Sequence, residues 1–246
     1  MLKTLWAWTW RILLILPCFL VVAIVALKWL PPAYTPLMMW RLMEAPFDKY
    51  EGGLEYHWVP MSEISPFVQR GVITSEDRAF LRHEGVDWRA VNHARQVNPG
   101  RVKRGKQPLG ASTITMQTSR SVFLPPSRTM IRKAFEVGIT YAIEWVWGKR
   151  RILEMYLNVV EWGDGVFGIE AASQHYFGKH ASDLTKQEAA LLVAILPNPR
   201  RFSASNPSPY IRKRAAAISA GIGGVALPRQ DAESSPPKGN RRARKK

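Results

Sequence analysis

Residues 131–148, IRKAFEVGITYAIEWVWG, carry the most regular helical pattern in the sequence. Apolar residues in this stretch recur at steps of three and four positions, which is the period of one face of an α-helix. They are Ile131, Phe135, Ile139, Ala142, Ile143 and Val146. We therefore predict an amphipathic helix that buries this stripe and ends at Gly148, since glycine commonly terminates a helix.

Further helix boundaries lie on both sides of this stretch. Thr185 and Glu188 form a predicted capping box ahead of the apolar run AALLVAIL. Asp87 is the predicted N-cap of a helix that the sequence NPG, residues 98–100, should end, and Ser208 is placed to open a last helix. Few segments alternate apolar and polar residues as strands do. The sequence therefore predicts a mainly α fold.

The first thirty residues predict a membrane anchor. The run from Ile12 to Leu27 is apolar and uncharged, with Arg11 before it and Lys28 after it, and tryptophans extend it on both sides. The alternative is a cleavable signal peptide, but small residues are poorly placed for cleavage. We expect residues 1–30 to form a cytoplasmic tail and a single transmembrane helix, with the rest of the chain outside the membrane.

Composition shifts divide the rest of the chain. Prolines after the anchor predict a stalk over residues 31–61, in which Met38, Met39 and Trp40 would rest on the bilayer. A single domain should follow over residues 62–220. Residues 221–246 are small, proline-rich and finally basic, which predicts a disordered tail.

Net charge indicates anionic partners. The formal charge is +16 and the sequence pI is near 10.3, which suits nucleic acid, acidic lipid headgroups or a phosphate-bearing substrate. Charge alone does not choose among them. The segment RVKRGKQPLG, residues 101–110, reads as a basic mobile loop. Cys18 is the sole cysteine, so no intrachain disulfide can form.

The stretch SEDRAFLRHEGVD, residues 75–87, contains the first candidate for catalysis. On a helix, Glu76, Phe80 and His83 would share one face. Burial beside an aromatic ring would raise the pKa of the carboxyl towards that of a general base. The alternative is an ordinary acidic first turn, which the helix dipole favours.

The stretch GASTITMQTSR, residues 110–120, suits phosphate binding. Free amides at a helix N-terminus, with the hydroxyls of Ser112 and Thr113 and with Arg120 two turns further on, could hold phosphate oxygens. The alternative is plain N-capping by Ser112. No Walker-type motif is present, so nucleotide binding is not supported.

A cluster of cations precedes a glutamate at the start of the main predicted helix. Arg128, Arg132 and Lys133 lie a few helical steps before Glu136 and could offset a diphosphate. The alternative is a surface pair between Arg132 and Glu136. Two later stretches, residues 149–165 and 168–179, read as packing residues. Their predicted core positions are Ile152, Met155, Tyr156, Val159, Ala171 and Ala172.

Five ordered blocks resemble the transglycosylase family, glycosyltransferase family 51, which also occurs in bifunctional penicillin-binding proteins. They are EDRAFLRHEG, GASTITMQ, RKAFE, KRRILEMYLN and GVFGIEAASQHYFGK, starting at residues 76, 110, 132, 149 and 165. The resemblance covers about Ser62 to Phe202, and the short chain is similar to the monofunctional biosynthetic type. Met116 stands where the family commonly has glutamine, and Arg120 where it commonly has lysine.

The resemblance implies a lysozyme-like helical domain that polymerises lipid II into β-1,4-linked glycan strands and releases undecaprenyl diphosphate. It implies that Glu76 is the general base and that Glu136 is a second essential carboxylate. The implied substrate-binding residues are Asp77, His83, Ser112, Thr113, Gln117, Arg120, Arg128, Arg132 and Lys133. No cofactor is required, although a divalent cation, Mg or Mn, is compatible with the chemistry.

The resemblance also implies a place in the cell and a set of partners. The enzyme would be a single-pass protein of the bacterial inner membrane with a periplasmic domain. Its partners would be lipid II, the growing glycan chain, the membrane and proteins of cell division or wall synthesis, with no nucleic acid.

Two rival functions remain open. The first is a wall-degrading enzyme, either a lysozyme-like hydrolase or a lytic transglycosylase, and the second is a non-catalytic scaffold. Penicillin binding is not expected, because the sole SxxK motif, Ser235 to Lys238, lies in the predicted tail.

Overall fold

The computed structural model describes residues 15, 17–44, 53–127 and 129–229. Its helices are α1 (residues 17–26), α2 (Pro36–Glu44), α3 (Pro66–Glu76), α4 (Trp88–Lys103), α5 (Ile114–Phe123), α6 (Met130–Val159), α7 (Ile169–Phe177), α8 (Lys186–Ile195) and α9 (Pro209–Gly221). The strands β1 (Glu55–Tyr56), β2 (Glu161–Gly163) and β3 (Val166–Phe167) form a small sheet in the order β1-β3-β2. Strand β3 is parallel to β1 and antiparallel to β2.

The helices surround one continuous hydrophobic core. Helix α5 lies along α6, and α8 packs against both α3 and α9. The predicted packing residues of the later blocks are all buried, as are the alanines of α7: Ile152, Met155, Tyr156, Val159, Ala171 and Ala172. The prediction of a mainly α fold is confirmed, and the architecture is consistent with a lysozyme-like domain.

Helix α6 buries a different stripe from the predicted one. Ile139 and Ile143 are buried as expected, but Ile131 is 73% exposed and Phe135 is 61% exposed. The buried face starts later, at Glu136, where Ser119 of α5 contacts α6, and Thr115 of α5 contacts it again at Glu144. The predicted end at Gly148 corresponds to a kink, where φ is 72° and the helix continues in a new direction.

Most of the predicted helix caps are confirmed. Thr185 and Glu188 form the capping box of α8, the Ser208 side chain caps α9, and the Asp87 carboxylate accepts from the first amides of α4. The predicted end of α4 at residues 98–100 is wrong, since the helix continues to Lys103. Pro99 is exposed, so the backbone carbonyl that loses its partner there can be hydrated instead.

The basic segment of residues 101–110 begins within α4, and its later part is held to the end of that helix. The Asn98 side chain exchanges two hydrogen bonds with the backbone of Leu109, at 2.7 and 3.1 Å. The Arg101 Nε atom donates to the Gln107 carbonyl at 2.8 Å. The prediction of a loop over residues 101–110 is wrong for residues 101–103, which belong to α4, and hydrogen bonds fold the following residues back onto that helix.

The segment predicted as a stalk packs on the domain over its described part. Met38, which was expected to rest on the bilayer, is fully buried, and that prediction is wrong. Met39 and Trp40 are exposed. Arg41 of α2 pairs with Glu161 of β2 at 2.9 Å, which ties α2 to the sheet. Residues 45–52 of the predicted stalk lie outside the described residues.

The two ends of the chain are described in part. Residues 1–14 and 16 of the predicted anchor lie outside the described residues, and in the part that the structure does describe, no helix is both long and apolar enough to span a bilayer. At the other end the core extends past the predicted boundary at residue 220, because Ile222 is buried. Residues 230–246 of the predicted tail lie outside the described part.

Candidate active site

Glu76 is the last residue of α3 rather than the start of a helix. The chain leaves the helix at Asp77, where φ is −160°, and Phe80 and His83 lie in the turns that follow. The expectation that Glu76, Phe80 and His83 share a helical face is therefore wrong. The Glu76 side chain is 16% exposed, so its carboxylate is partly shielded but still reachable from solvent.

Three neighbours hold the Glu76 carboxylate. Gln117 of α5 donates from Nε2 to Oε2 at 3.3 Å, and the Ser75 hydroxyl donates to Oε1 at 3.1 Å. Arg214 of α9 places Nη2 at 3.6 Å from Oε1 and donates to the Ser75 hydroxyl at 2.8 Å. The carboxylate is thus fixed between α5 and α9, with a cation beside it.

Tyr156 of α6 orients Gln117. Its hydroxyl donates to Gln117 Oε1 at 3.4 Å. Burial raises the pKa of Tyr156 well above its usual value, the negative charge of Glu76 adds to this effect, and Arg120 opposes it. The phenol therefore stays protonated and keeps donating. Since Oε1 of Gln117 accepts from Tyr156, its Nε2 is directed at Glu76.

Asp77 and His83 connect the turn after Glu76 to the start of α5. Asp77 Oδ2 accepts from His83 Nε2 at 2.8 Å and from the Ile114 backbone amide at 3.1 Å. His83 Nδ1 accepts from the Gly85 amide at 3.1 Å, which makes Nε2 the protonated nitrogen. Both side chains are buried, so in this structure they bond within the protein and position its backbone.

Thr113, not Ser112, caps α5. Thr113 Oγ1 accepts from the Met116 amide at 3.1 Å and donates to the Gly85 carbonyl at 2.5 Å. The alternative of an N-cap at Ser112 is wrong, and Ser112 is exposed beside the helix start. The expectation of free amides at this N-terminus fails for two of them, because Met116 donates to Thr113 and Ile114 donates to Asp77.

Glu136 lies between two cations inside the protein. Arg132 Nη1 donates to Glu136 Oε2 at 2.8 Å, and Lys133 Nζ donates to Oε1 at 2.5 Å. The Glu136 side chain is 2% exposed and that of Lys133 is 38% exposed. Glu136 is therefore a buried carboxylate held by two cations rather than half of a surface pair. The three side chains together carry one surplus positive charge, which Lys133 presents towards solvent.

Helix α5 contacts the neighbourhood of both glutamates. Gln117 faces Glu76, while the Ser119 hydroxyl contacts the Glu136 carbonyl at 3.2 Å. Positions two residues apart lie on opposite sides of a helix. Arg120, three residues after Gln117, belongs to the Gln117 side and is exposed at the end of α5. Arg128, the remaining predicted cation, lies outside the described residues.

No protein-only metal site is evident in the described ranges. Within them, no group of three or more histidine, cysteine, aspartate or glutamate side chains is placed to hold a metal ion. The carboxylates of this region are instead engaged by cationic side chains, hydroxyls and amides.

The geometry gives the two glutamates different chemical capacities. Glu76 has a solvent-reachable carboxylate whose contacts are long, so it can accept a proton from an incoming hydroxyl group. Both oxygens of Glu136 are occupied by cations, so its charge serves to hold Arg132 and Lys133 in place. The arrangement suits nucleophilic transfer from a donor whose leaving group is an anion.

Sequence reasoning missed three members of this site. Tyr156 was predicted as packing alone, and its buried ring fits that prediction, but its hydroxyl also reaches Gln117. Ser75 precedes Glu76, and no sequence pattern indicated that its hydroxyl contacts the carboxylate. Arg214 lies beyond Phe202, where the quoted motifs end, and no local pattern indicated that α9 would bring it to Glu76.

Comparison with known proteins identifies the family. The family profile described as Transglycosylase matches residues 44–222. A protein of Rhodospirillum centenum named biosynthetic peptidoglycan transglycosylase is 50% identical over 204 residues, 82% of this chain and 84% of that protein. Proteins of the same name from Caulobacter vibrioides and Pseudomonas syringae are 41% and 44% identical, over 83% and 79% of this chain and 85% and 81% of their own lengths. The chain therefore belongs to the transglycosylase family of peptidoglycan-synthesising glycosyltransferases.

Proposed function

We propose that the chain polymerises lipid II, with Glu76 as the general base. In this reaction Glu76 takes the proton from the 4-hydroxyl of the acceptor GlcNAc as that oxygen attacks C1 of the donor MurNAc. The bond from C1 to the diphosphate breaks, and its electron pair leaves with undecaprenyl diphosphate. Attack from the face opposite the leaving group inverts C1 and gives a β-1,4 linkage.

The observation that carries this proposal is the contrast between the two glutamates. Two carboxylates in different environments commonly have different roles in acid–base chemistry. Glu76 is 16% exposed, while Glu136 is 2% exposed and paired with Arg132 and Lys133. Of these two residues, Glu76 has the carboxylate that an acceptor hydroxyl can approach. We assign the proton transfer to Glu76 and the positioning of the cations to Glu136.

The cations are proposed to stabilise the departing diphosphate. Lys133, Arg132 and Arg120 supply positive charge near the site, and the family pattern adds Arg128. A diphosphate is already a good leaving group, so it needs compensating charge more than a protonated acid. A wall-degrading hydrolase has the opposite requirement, a carboxylic acid that protonates a sugar oxygen, and the cation pair on Glu136 does not favour it.

The remaining predicted residues have proposed supporting roles. Ser112 is exposed at the start of α5, where its hydroxyl can contact a sugar or phosphate oxygen. Thr113, Asp77 and His83 fix the backbone that presents Ser112 and Glu76. Gln117 is proposed to orient the base. The proposed step is written with these residues alone, and a divalent cation, Mg or Mn, is compatible with it.

The proposed location is the bacterial inner membrane, with the domain in the periplasm. The apolar run from Ile12 to Leu27 and the positive charges before it support a single anchor. Phe19, Val21 and Val22 of α1 are exposed apolar side chains, as a helix that enters lipid would present. Proteins of cell division or wall synthesis are the proposed further partners.

Labelled lipid II tests the proposal. The purified full-length chain should convert it to a polymer that a muramidase digests, and a moenomycin-type inhibitor should block the conversion. Glu76→Gln should abolish most of the polymer, while the control Glu63→Gln, at an exposed residue of the same domain, should not. Normal polymer from Glu76→Gln would reject the general-base role. A scaffold would show no polymer from any variant.

A further inference from the structure

The end of α1 and the turn that follows it are bound to the catalytic domain through backbone carbonyls. Arg151 of α6 donates from Nε and Nη2 to the Leu27 carbonyl, at 3.1 and 2.9 Å, and from Nη2 to the Leu30 carbonyl at 2.8 Å. Trp147 donates from its indole nitrogen to the Ile24 carbonyl at 2.6 Å. Carbonyls at a helix C-terminus lack partners within the helix, and here two side chains from another part of the chain supply them.

Further contacts hold the Arg151 side chain in this position. Its Nη1 pairs with Glu154 at 2.5 Å, and its guanidinium lies over the Trp58 ring at 5.0 Å. Glu154 in turn accepts from the Met61 amide at 2.7 Å. The Arg151 side chain is 8% exposed. A buried guanidinium with its charge balanced and four of its five donors used has little freedom to move.

The apolar side chains of α1 divide between the domain and solvent. Ile24 is buried in the core, and Leu20 packs against it. Phe19 and Val22 point away and are exposed. A flexible tether would let the domain tumble at the membrane surface. A helix fixed through both its side chains and its terminal carbonyls holds the domain in one orientation relative to the helix axis.

We propose that Arg151 and Trp147 form a rigid joint between the membrane anchor and the catalytic domain. The joint sets the height and tilt of the site above the bilayer, so that a lipid-bound diphosphate sugar in that bilayer reaches Glu76 and the cations. Arg151 and Trp147 are positioning residues in this scheme and contact no substrate. The inference rests on the proposed function in one respect, namely that α1 belongs to the membrane anchor.

A distance measurement tests the joint without any activity assay. Cys18 is exposed and is the sole cysteine of the chain, so it can carry one spin label, and Gln187→Cys on the exposed face of α8 can carry a second. In lipid nanodiscs the parent chain should give a narrow distribution of distances between the labels. Arg151→Gln should broaden it, Arg151→Lys should broaden it less, and the neighbouring control Arg150→Gln should leave it narrow. A broad distribution in the parent, or a narrow one in Arg151→Gln, would overturn the proposal.

An activity comparison separates positioning from simple damage to the fold. On lipid II in vesicles Arg151→Gln should lose about tenfold in rate, less than the ~10²-fold that misplacement of reacting groups can cost. On lipid II in detergent it should stay within about twofold, because detergent removes the fixed bilayer plane. Equal losses of rate in vesicles and in detergent would show that Arg151 has a merely structural role and would overturn the proposal. If the parent chain made no polymer at all, the proposed function would fail, and the label distances would still decide whether the joint exists.

Discussion

Replacing Glu136 by glutamine should destabilise the domain, whereas the same change at Glu76 should not. Glu136 accepts from Arg132 at 2.8 Å and from Lys133 at 2.5 Å, and its side chain is 2% exposed. A neutral amide would leave two cations close together without a counter-charge. Glu76 has longer contacts, 3.1 to 3.6 Å, and is more exposed, so its amide can keep most of them.

The size of the effect follows from burial. Removing one partner of a buried ion pair costs about 3–5 kcal/mol. Hydration of the two cations offsets part of this free-energy cost, because the side chains of Arg132 and Lys133 are 14% and 38% exposed. We therefore expect Glu136→Gln to lower the free energy of unfolding by about 2–3 kcal/mol. For a domain of this size that corresponds to a fall in Tm of roughly 4–12 °C.

Circular dichroism during heating, at one detergent concentration for all proteins, measures this difference. Glu76→Gln should melt within about 2 °C of the parent, as a substitution of about ±0.5 kcal/mol would. Both variants should lose polymerisation, Glu76→Gln by losing the base and Glu136→Gln by releasing the cations. The reasoning is refuted if Glu136→Gln melts with the parent, or if Glu76→Gln is the less stable of the two.

Three further predictions concern the residues around the site and the fold that supports it. Thr113→Val should cost about 1–2 kcal/mol by removing the cap of α5, while Ser112→Ala should stay within about 0.5 kcal/mol, as denaturant titration can show. Burial acts to raise the pKa of Glu170, but hydrogen bonds led by the Ala181 amide outweigh burial and lower that pKa below its ordinary 4.5. The charged carboxylate of Glu170 therefore stabilises the folded state above pH 4.5, and this stabilisation is lost as the pH falls through the lowered pKa. Glu170→Gln should flatten the acid limb of a plot of Tm against pH. An unchanged acid limb would contradict this. Arg214→Gln should slow polymerisation on the order of tenfold with Tm unchanged, less than the ~10²–10³ that loss of a direct charge-stabilising donor costs, and Arg214→Lys should restore part of the rate.

Local patterns predicted the helix caps well, because a cap depends on residues within one turn. The capping box of Thr185 and Glu188 and the Asp87 cap needed nothing beyond their own neighbours. The stripe on α6 failed at Ile131 and Phe135 for the opposite reason. Periodicity shows that a helix has an apolar face, but which part of that face is covered depends on where another helix lies.

The same contrast between local and long-range information applies to the candidate site. The motifs predicted Glu76 and Glu136 as site residues, but they did not show that Glu76 ends a helix or that both oxygens of Glu136 are paired with cations. Arg214 reaches Glu76 from a helix 138 positions further along the chain, counted from the residue numbers. Contacts of that separation are created by the packing of α3, α8 and α9, and no local signal in the sequence carries them.

The measurement that tests the account most directly is the rate of lipid II polymerisation by Glu76→Gln beside Glu63→Gln and the parent chain, in detergent, with product confirmed by muramidase digestion. The account predicts that Glu76→Gln loses a factor on the order of 10² to 10⁴, the range of a general base, with Tm unchanged. Glu63→Gln should match the parent. Polymer formed by Glu76→Gln at the parent's rate would contradict the assignment of Glu76 as the base.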